Sequence, residues 1–297
     1  MTLTPKTPTC KNEIMSFTVA GTRVLITGAA MGMGRLYAER AVAEGADTVI
    51  LWDINEAALA ETAEALRASA DIFGSGNTII VPMMVDISDR KQIELAAELV
   101  RTEHGGVDIL INNAGVVKGA LFWEHDNERD TEFTMRINTL APMYLTREFL
   151  PGMISGGRPS RIVNIASAAG TLSNPRMSVY AASKWALIGW SDSVRLELAQ
   201  EGIRHINVTT VCPSYIATGM FEGVKGPLMT PIMQPDYVVN RVWKAMKAGK
   251  GMLMLPWTVT MSKVLKGILP QRAFDVVADK VFGVYNTMEH FTGRVPK

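Results

Sequence analysis

The stretch TRVLIT-GAAMGMG-RLYAERAVAEG, residues 22–45, limits the possible folds more than any other part of the chain. Of its first six residues all but Arg23 are apolar or β-branched, and they read as a short buried strand. Glycines at 28, 32 and 34 follow at once, and a helical pattern begins behind them. A strand entering a helix through a glycine turn is the opening of a βαβ unit, whose next strand must lie parallel to the first.

The rest of the chain repeats that alternation. Strands are expected in DTVILWD (47–53), NTIIVPMMVDI (77–87), VDILINNAG (107–115), RIVNIAS (161–167) and INVTTVCP (206–213), with a last one in GMLMLP (251–256). Helices are expected over 55–70, in QIELAAELVRTEHG, over 129–153, over 178–201 and over 236–248. The fold class is α/β: a single domain with a Rossmann-type, doubly wound parallel sheet and helices on both faces. Residues 1–20 read as an N-terminal tail, 21–255 as the catalytic domain with an irregular substrate loop at 214–235, and 256–297 as a helical extension.

Composition narrows the function. Thirty basic residues face 29 acidic ones, and without a basic stripe or aromatic platform no nucleic-acid partner is expected. Two cysteines, Cys10 and Cys212, and four scattered histidines, His104, His125, His205 and His290, form no ligand spacing, so no metal is expected. The N-terminus lacks a signal-peptide apolar run, and no run of eighteen apolar residues occurs, so a cytoplasmic location is expected.

The glycine turn is suited to a dinucleotide. Gly28, Gly32 and Gly34, with Met31 and Met33 between them, let the backbone approach a pyrophosphate at a helix N-terminus. Asp53 ends the second strand, 25 residues after Gly28, where a carboxylate accepts from ribose hydroxyls and repels a 2′-phosphate. Ile54 follows it. Arg35 beside the third glycine offers an opposing charge, but NAD is favoured over NADP. As a purely structural alternative, Asp53 would simply cap the next helix.

Tyr180 and Lys184 stand four residues apart on a helix and so share one face. An ammonium near a phenol favours the phenolate and lowers its pKa from about 10. Alone, such a pair is more often two side chains snorkelling to water.

Taken in order, these motifs resemble the short-chain dehydrogenase/reductase family, over residues 20–255. TGAAMGMG matches its glycine motif, Asp86 with Ile87 its adenine-flanking pair, and Asn112–Gly115, with Ala114, its NNAG. Asn138, Ser167, Tyr180 and Lys184 match its catalytic tetrad, Ser167 lying thirteen residues before Tyr180. The resemblance implies that Tyr180 moves the alcohol proton and Ser167 holds the substrate oxygen. It also implies that Lys184 binds the nicotinamide ribose and that Asn138 keeps a water joined to Lys184. Pro213, Ile216 and Thr218 are expected at the nicotinamide end. There the family commonly has Pro-Gly, whereas this chain has Pro213-Ser214.

Specificity is expected from segments 168–177 and 214–235, with Met177, Met220, Phe221, Leu228, Met229 and Met233 facing an apolar ligand or packing the loop shut. Arg176 and Lys225 are available to a remote carboxylate. The LWDIN segment and the long tail resemble a retinol/17-beta-hydroxysteroid dehydrogenase-like subgroup that oxidises lipophilic alcohols. The expected function is therefore NAD-dependent oxidation or reduction of a bulky lipophilic alcohol or ketone. The alternatives are an NADPH-dependent carbonyl reductase or a non-catalytic NAD-binding regulator. The resemblance also implies a homodimer or homotetramer. The tail would cover the pocket, contact a subunit or make a peripheral membrane contact.

Overall fold

A computed structural model describes residues 17–72 and 77–293. Cys10 and residues 1–16 of the expected tail lie outside the described residues. Phe17 and Val19 are already buried in the core, so ordered packing starts before the bound drawn at residue 21. The Arg161 guanidinium lies 4.0 Å from the centre of the Phe17 ring.

The chain alternates β1 (Arg23–Thr27), α1 (Gly32–Ala43), β2 (Thr48–Asp53), α2 (Glu56–Ile72), β3 (Ile79–Met84), α3 (Arg90–His104) and β4 (Ile109–Asn112). A helical run over 127–156 contains α4 (Phe133–Met135) and α5 (Ala141–Gly156). Then come β5 (Ser160–Ile165), α6 (Ser178–Gln200), β6 (Ile206–Pro213), α7 (Pro235–Lys247) and β7 (Met252–Leu255). Helices α8 (Trp257–Ile268) and α9 (Gln271–Val276) make up much of the extension.

The seven strands pair in the order β3-β2-β1-β4-β5-β6-β7, every pair parallel. Val24 and Ile26 join the core beneath α1 and α7, while Leu25 between them joins the core beneath α3 and α5. That two-sided burial is why the strands read as continuous apolar runs without alternation. Edge strand β3 is the exception: Ile79 and Met84 are exposed, and Pro82 sits in its middle. A proline there costs no ladder bond on the open side.

Strand order reverses between β1 and β4, which opens a crevice at the carboxyl ends of the strands. Thr27, Asp53, Asn112, Ile165 and Pro213 are the last residues of their strands and so stand along that edge. The 214–235 segment forms turns joined by one bridge, Ile216 to Met233. The extension is tied onto it by bonds from Lys225 N–H to the Thr287 carbonyl, Leu228 N–H to the Phe282 carbonyl and Thr292 N–H to the Glu222 carbonyl.

Candidate active site

The glycine turn is built for close approach. Gly28 and Gly32 have φ of 65° and 56°, a region that favours glycine. A Cβ on Gly34 would collide with the Gly28 carbonyl, so the first turn of α1 packs directly on the end of β1. Met31, the residue preceding α1, makes no side-chain cap, which leaves the first N–H groups of the helix available to an anion. Thr218 reaches back from the far loop to within 3.8 Å of where a Gly32 Cβ would stand. The side chain of Met33 turns instead into the core under α1.

Asp53 braces this turn from the neighbouring strand. Its Oδ2 accepts from Ala30 N–H and its Oδ1 from Asn55 N–H, both at 3.0 Å. Each oxygen retains a lone pair for a further donor. Exposed Ile54 stands beside it. Arg35, the opposing charge, is drawn away to Glu39 at 3.1 Å. These features fit the pyrophosphate and ribose of a dinucleotide.

Asn113, within the Asn112–Gly115 stretch, holds the turn from the other side. Its side-chain amide donates to the Thr27 carbonyl at 2.9 Å, and Thr27 Oγ1 accepts from the N–H groups of Asn113 and Ala114. The Asn112 side chain points into the sheet, donating to Asn164 Oδ1 at 2.8 Å; Asn164 donates in turn to Ser191 Oγ. Asn112 can therefore serve a cofactor only through its backbone. Asp86 accepts from Ser88 N–H at 2.8 Å and shapes the turn after β3, while Ile87 packs into the core beneath α3. Ile216 is likewise a core residue, and Pro213 closes β6.

The tetrad residues converge from three places in the chain: the Arg136–Leu140 turn, the end of β5 and α6. Tyr180 and Lys184 are both buried on α6, with Lys184 Nζ 5.7 Å from the centre of the phenol ring. Nζ donates to the Ile165 carbonyl at 2.8 Å, just beyond which Ser167 leaves β5. Ser167 Oγ accepts from Ala169 N–H and starts a single helical turn. Asn138 is fully buried in a widened helical turn over Arg136–Leu140. Pro142, four residues on, has no N–H to offer the Asn138 carbonyl, which accounts for a regular turn failing there.

The Asn138 amide is more occupied than expected. Its Oδ1 accepts from Val116 N–H at 2.9 Å, and its Nδ2 donates to the Val116 carbonyl at 2.8 Å and to Ser183 Oγ at 3.1 Å. It thus clamps the chain leaving β4 onto α6. Gly115 lies between this amide and Lys184: a Cβ there would be 3.3 Å from Asn138 Oδ1 and 3.6 Å from Lys184 Nζ.

Electrostatics reverse one expectation. Burial pushes the Tyr180 phenol up to about 12, and hydrogen bonding to Ser167 offsets this only in part. Burial also pulls the Lys184 ammonium down to about 8. Desolvation outweighs the charge partner that the spacing suggested, because both groups are shut off from water.

In front of Ser167 lies an apolar cleft, lined also by Met177, Tyr215 and Phe221. The extension forms its opposite wall with Thr258, Val259, Met261, Phe282 and Val284. The tail therefore lines the pocket. The Phe221 ring meets Tyr180 and Tyr215 edge-on, with centroids at 6.1 and 5.2 Å. Ser214, where a glycine is common, contributes to the lining. Of the apolar residues expected to face a ligand or pack the loop shut, Met177 and Phe221 line the cleft. Met220 does not line the cleft, Leu228 and Met229 are exposed, and Met233 is buried in the core beside Ile216. Arg176 and Lys225 do not line it either. Among the described residues no group of three or more His, Cys, Asp or Glu is placed to hold a metal, and no helix is long and apolar enough to cross a membrane.

Comparison with known proteins agrees with this geometry. Residues 22–226 match the family described as short chain dehydrogenase. The chain is 36% identical over 281 residues to epidermal retinol dehydrogenase 2 of Mus musculus, covering 94% of this chain and 88% of that one. It is 36% identical over 264 residues to estradiol 17-beta-dehydrogenase 11 of Homo sapiens, covering 89% and 84%. A short chain dehydrogenase/reductase from Burkholderia phymatum, solved in complex with NAD, superposes with a TM-score of 0.74 at 25% identity, covering 84% and 94%. A metagenomic short-chain oxidoreductase solved with NADP gives 0.64 at 26%, covering 80% and 96%. With its seven-stranded parallel sheet, its dinucleotide turn and its buried tyrosine–lysine pair, this chain belongs to the short chain dehydrogenase family, as an oxidoreductase that acts on CH–OH groups with a nicotinamide cofactor.

Proposed function

We propose that the chain is an NAD-dependent dehydrogenase of bulky, lipophilic secondary alcohols such as steroids or retinoids, with Tyr180 as the proton-transfer group. The observation that carries this reading is the apolar cleft that opens directly on Ser167 and is walled by Met177, Phe221 and the extension. The relatives named for retinol and estradiol favour the same substrate class.

The bound nicotinamide supplies the hydride acceptor or donor. The chain's own residues handle position and protons. Ser167 holds the substrate oxygen at the mouth of the cleft, and Tyr180 gives a proton to a nascent alkoxide or takes one from an alcohol. A phenol at about 12 is almost wholly protonated at neutral pH, which favours donation, so oxidation should quicken as pH rises. Lys184, anchored on the Ile165 carbonyl, keeps two N–H donors for the ribose and the phenol. Asn138 fixes Val116 and Ser183, and so sets α6 against the strand end that carries Gly115.

The preference for NAD is supported by Asp53 at the end of β2, whose carboxylate would repel a 2′-phosphate, and by Arg35 being paired with Glu39. The proposal includes a homodimer or homotetramer, and peripheral membrane contact through exposed Trp257, Val264 and Ile268 of α8. The test is to follow NADH formation from a panel of steroids, retinol and small secondary alcohols with NAD⁺ and NADP⁺. Turnover of bulky apolar alcohols with NAD⁺ supports the proposal. Turnover only of small polar alcohols, or only with NADP⁺, contradicts it.

A further inference from the structure

One hydroxyl behind the cleft ties together the three segments that wall it. Thr287, in the extension, is buried and does not itself line the cleft. Its Oγ1 donates to the Val284 carbonyl at 2.9 Å, accepts from Asn174 Nδ2 at 2.9 Å and lies 2.8 Å from Tyr215 Oη. Asn174 Nδ2 also donates to Tyr215 Oη at 3.0 Å, which closes a triangle of side chains. Val284, Asn174 and Tyr215 all line the cleft. Each comes from a different segment: the extension, 168–177 and 214–235.

The proton count gives this junction a direction. Thr287 has one hydroxyl proton, given to Val284, so its oxygen faces Asn174 and Tyr215 only as an acceptor. The Tyr215 phenol proton therefore goes to Thr287; the Met177 sulfur, 3.9 Å away, is the poorer acceptor. The Tyr215 ring held in this way stands edge-on to Phe221, which stands edge-on to Tyr180. Met288, the next residue of the extension, is buried in one apolar cluster with Tyr180 and Tyr215. The chain beyond it is closely seated: a Cβ on Gly223 would collide with the His290 carbonyl, and one on Gly119 with the Phe291 ring.

We propose that Thr287 is a positioning residue, which fixes the 168–177 and 214–235 loops to the extension and, through Tyr215 and Phe221, sets the cleft wall beside Tyr180. Its bearing on substrate selection rests on the cleft being the substrate site. Thr287 touches no substrate in this arrangement; it acts through Asn174 and Tyr215. Removing its hydroxyl leaves two buried donors, on Asn174 and Tyr215, without their acceptor. That cost is relieved when the two loops part from the extension. The extension is then a working part of the site, not a cover over a finished one.

The experiment compares the wild type with Thr287→Val, which keeps the shape without the hydroxyl, and Thr287→Ser, which keeps the hydroxyl. Tyr215→Phe and the double variant with Thr287→Val complete a double-mutant cycle. Hydrogen exchange is followed at two reporter amides, Met177 N–H on the Asn174 carbonyl and Met233 N–H on the Tyr215 carbonyl. Both should exchange about tenfold faster in the valine variant, one hydrogen bond's worth, and within about twofold of wild type in the serine variant. Amides of β1 should not change. KM for estradiol with NAD⁺ should rise about tenfold in the valine variant, with kcat and NADH affinity within about threefold, and serine should restore it. On a Tyr215→Phe background the valine substitution should cost much less. Unchanged exchange at both reporters, faster exchange that includes β1, an unchanged KM, a serine variant as impaired as valine, or additive effects in the cycle overturn the proposal. If the wild type does not turn over estradiol while exchange responds as stated, the lipophilic-alcohol reading fails and the Thr287 junction stands.

Discussion

Lys184 lies one helical turn beyond Tyr180 on α6, buried with it, and donates to the Ile165 carbonyl at the end of β5. The ammonium is thereby fixed to the strand that leads into Ser167, so one bond ties three members of the tetrad together. The buried cation is also a liability for the free protein, and that yields the first prediction.

Replacing Lys184 by Met should stabilise the free protein at neutral pH while removing activity. The folded-state pKa is about 8 against an ordinary 10.5, so between those values the unfolded chain binds more protons than the native one. Stability therefore rises with pH across that window, and the cost of the buried lysine is fully felt below pH 8. The variant should gain on the order of 3 kcal/mol near pH 7, with the gain vanishing above pH 10.5. Urea melts of both proteins at several pH values check this; a variant less stable at every pH contradicts it.

Asp53→Ser should shift cofactor preference. The substitution removes the charge that would repel a 2′-phosphate but keeps a short side chain near Ala30 N–H. The ratio of kcat/KM for NAD⁺ to that for NADP⁺ should fall by about tenfold or more. An unchanged ratio would show that Asp53 only braces the turn.

Gly34→Ala should damage the fold itself. The added methyl meets the Gly28 carbonyl, a backbone atom that cannot step aside. A loss of roughly 1–3 kcal/mol or more is expected, together with weakened dinucleotide binding. Denaturant unfolding and NADH fluorescence titration read the two effects. Wild-type stability would mean that α1 does not pack on β1 as described.

Phe221→Ala should enlarge the cleft and loosen substrate selection without touching the proton path. The ring packs edge-on between Tyr180 and Tyr215. KM for a bulky apolar alcohol should rise several-fold while kcat with the best substrate changes less. A fall in kcat alone would instead assign Phe221 to holding the tyrosine.

The fold was legible because a two-sided parallel sheet leaves uninterrupted apolar runs such as VLIT and VILW, each closed by a turn. Strand ends were less legible: 77–87 shrank to Ile79–Met84 and 107–115 to Ile109–Asn112, since apolar residues continue into the site loops after pairing stops. Spacing located Tyr180 and Lys184, but not the sign of the tyrosine's shift, because burial depends on what packs over α6 from distant segments. The part Asn113 plays within Asn112–Gly115 was hidden for a related reason: an asparagine close to a glycine reads locally as a turn former, and only the fold shows that Asn113 holds Thr27 and Gly28. Met233 packs the loop shut rather than facing a ligand, two alternatives that look alike for a methionine in sequence.

The most direct test is a parallel assay of the wild type and Tyr180→Phe with NAD⁺ and a bulky secondary alcohol, at several pH values, with NADH binding measured alongside. Wild-type oxidation should climb toward alkaline pH. The variant should bind NADH within about threefold of the wild type yet turn over at least about 10²-fold more slowly, the scale of a lost proton-transfer group. A variant that retains wild-type turnover would remove Tyr180 from the chemistry and contradict the central claim.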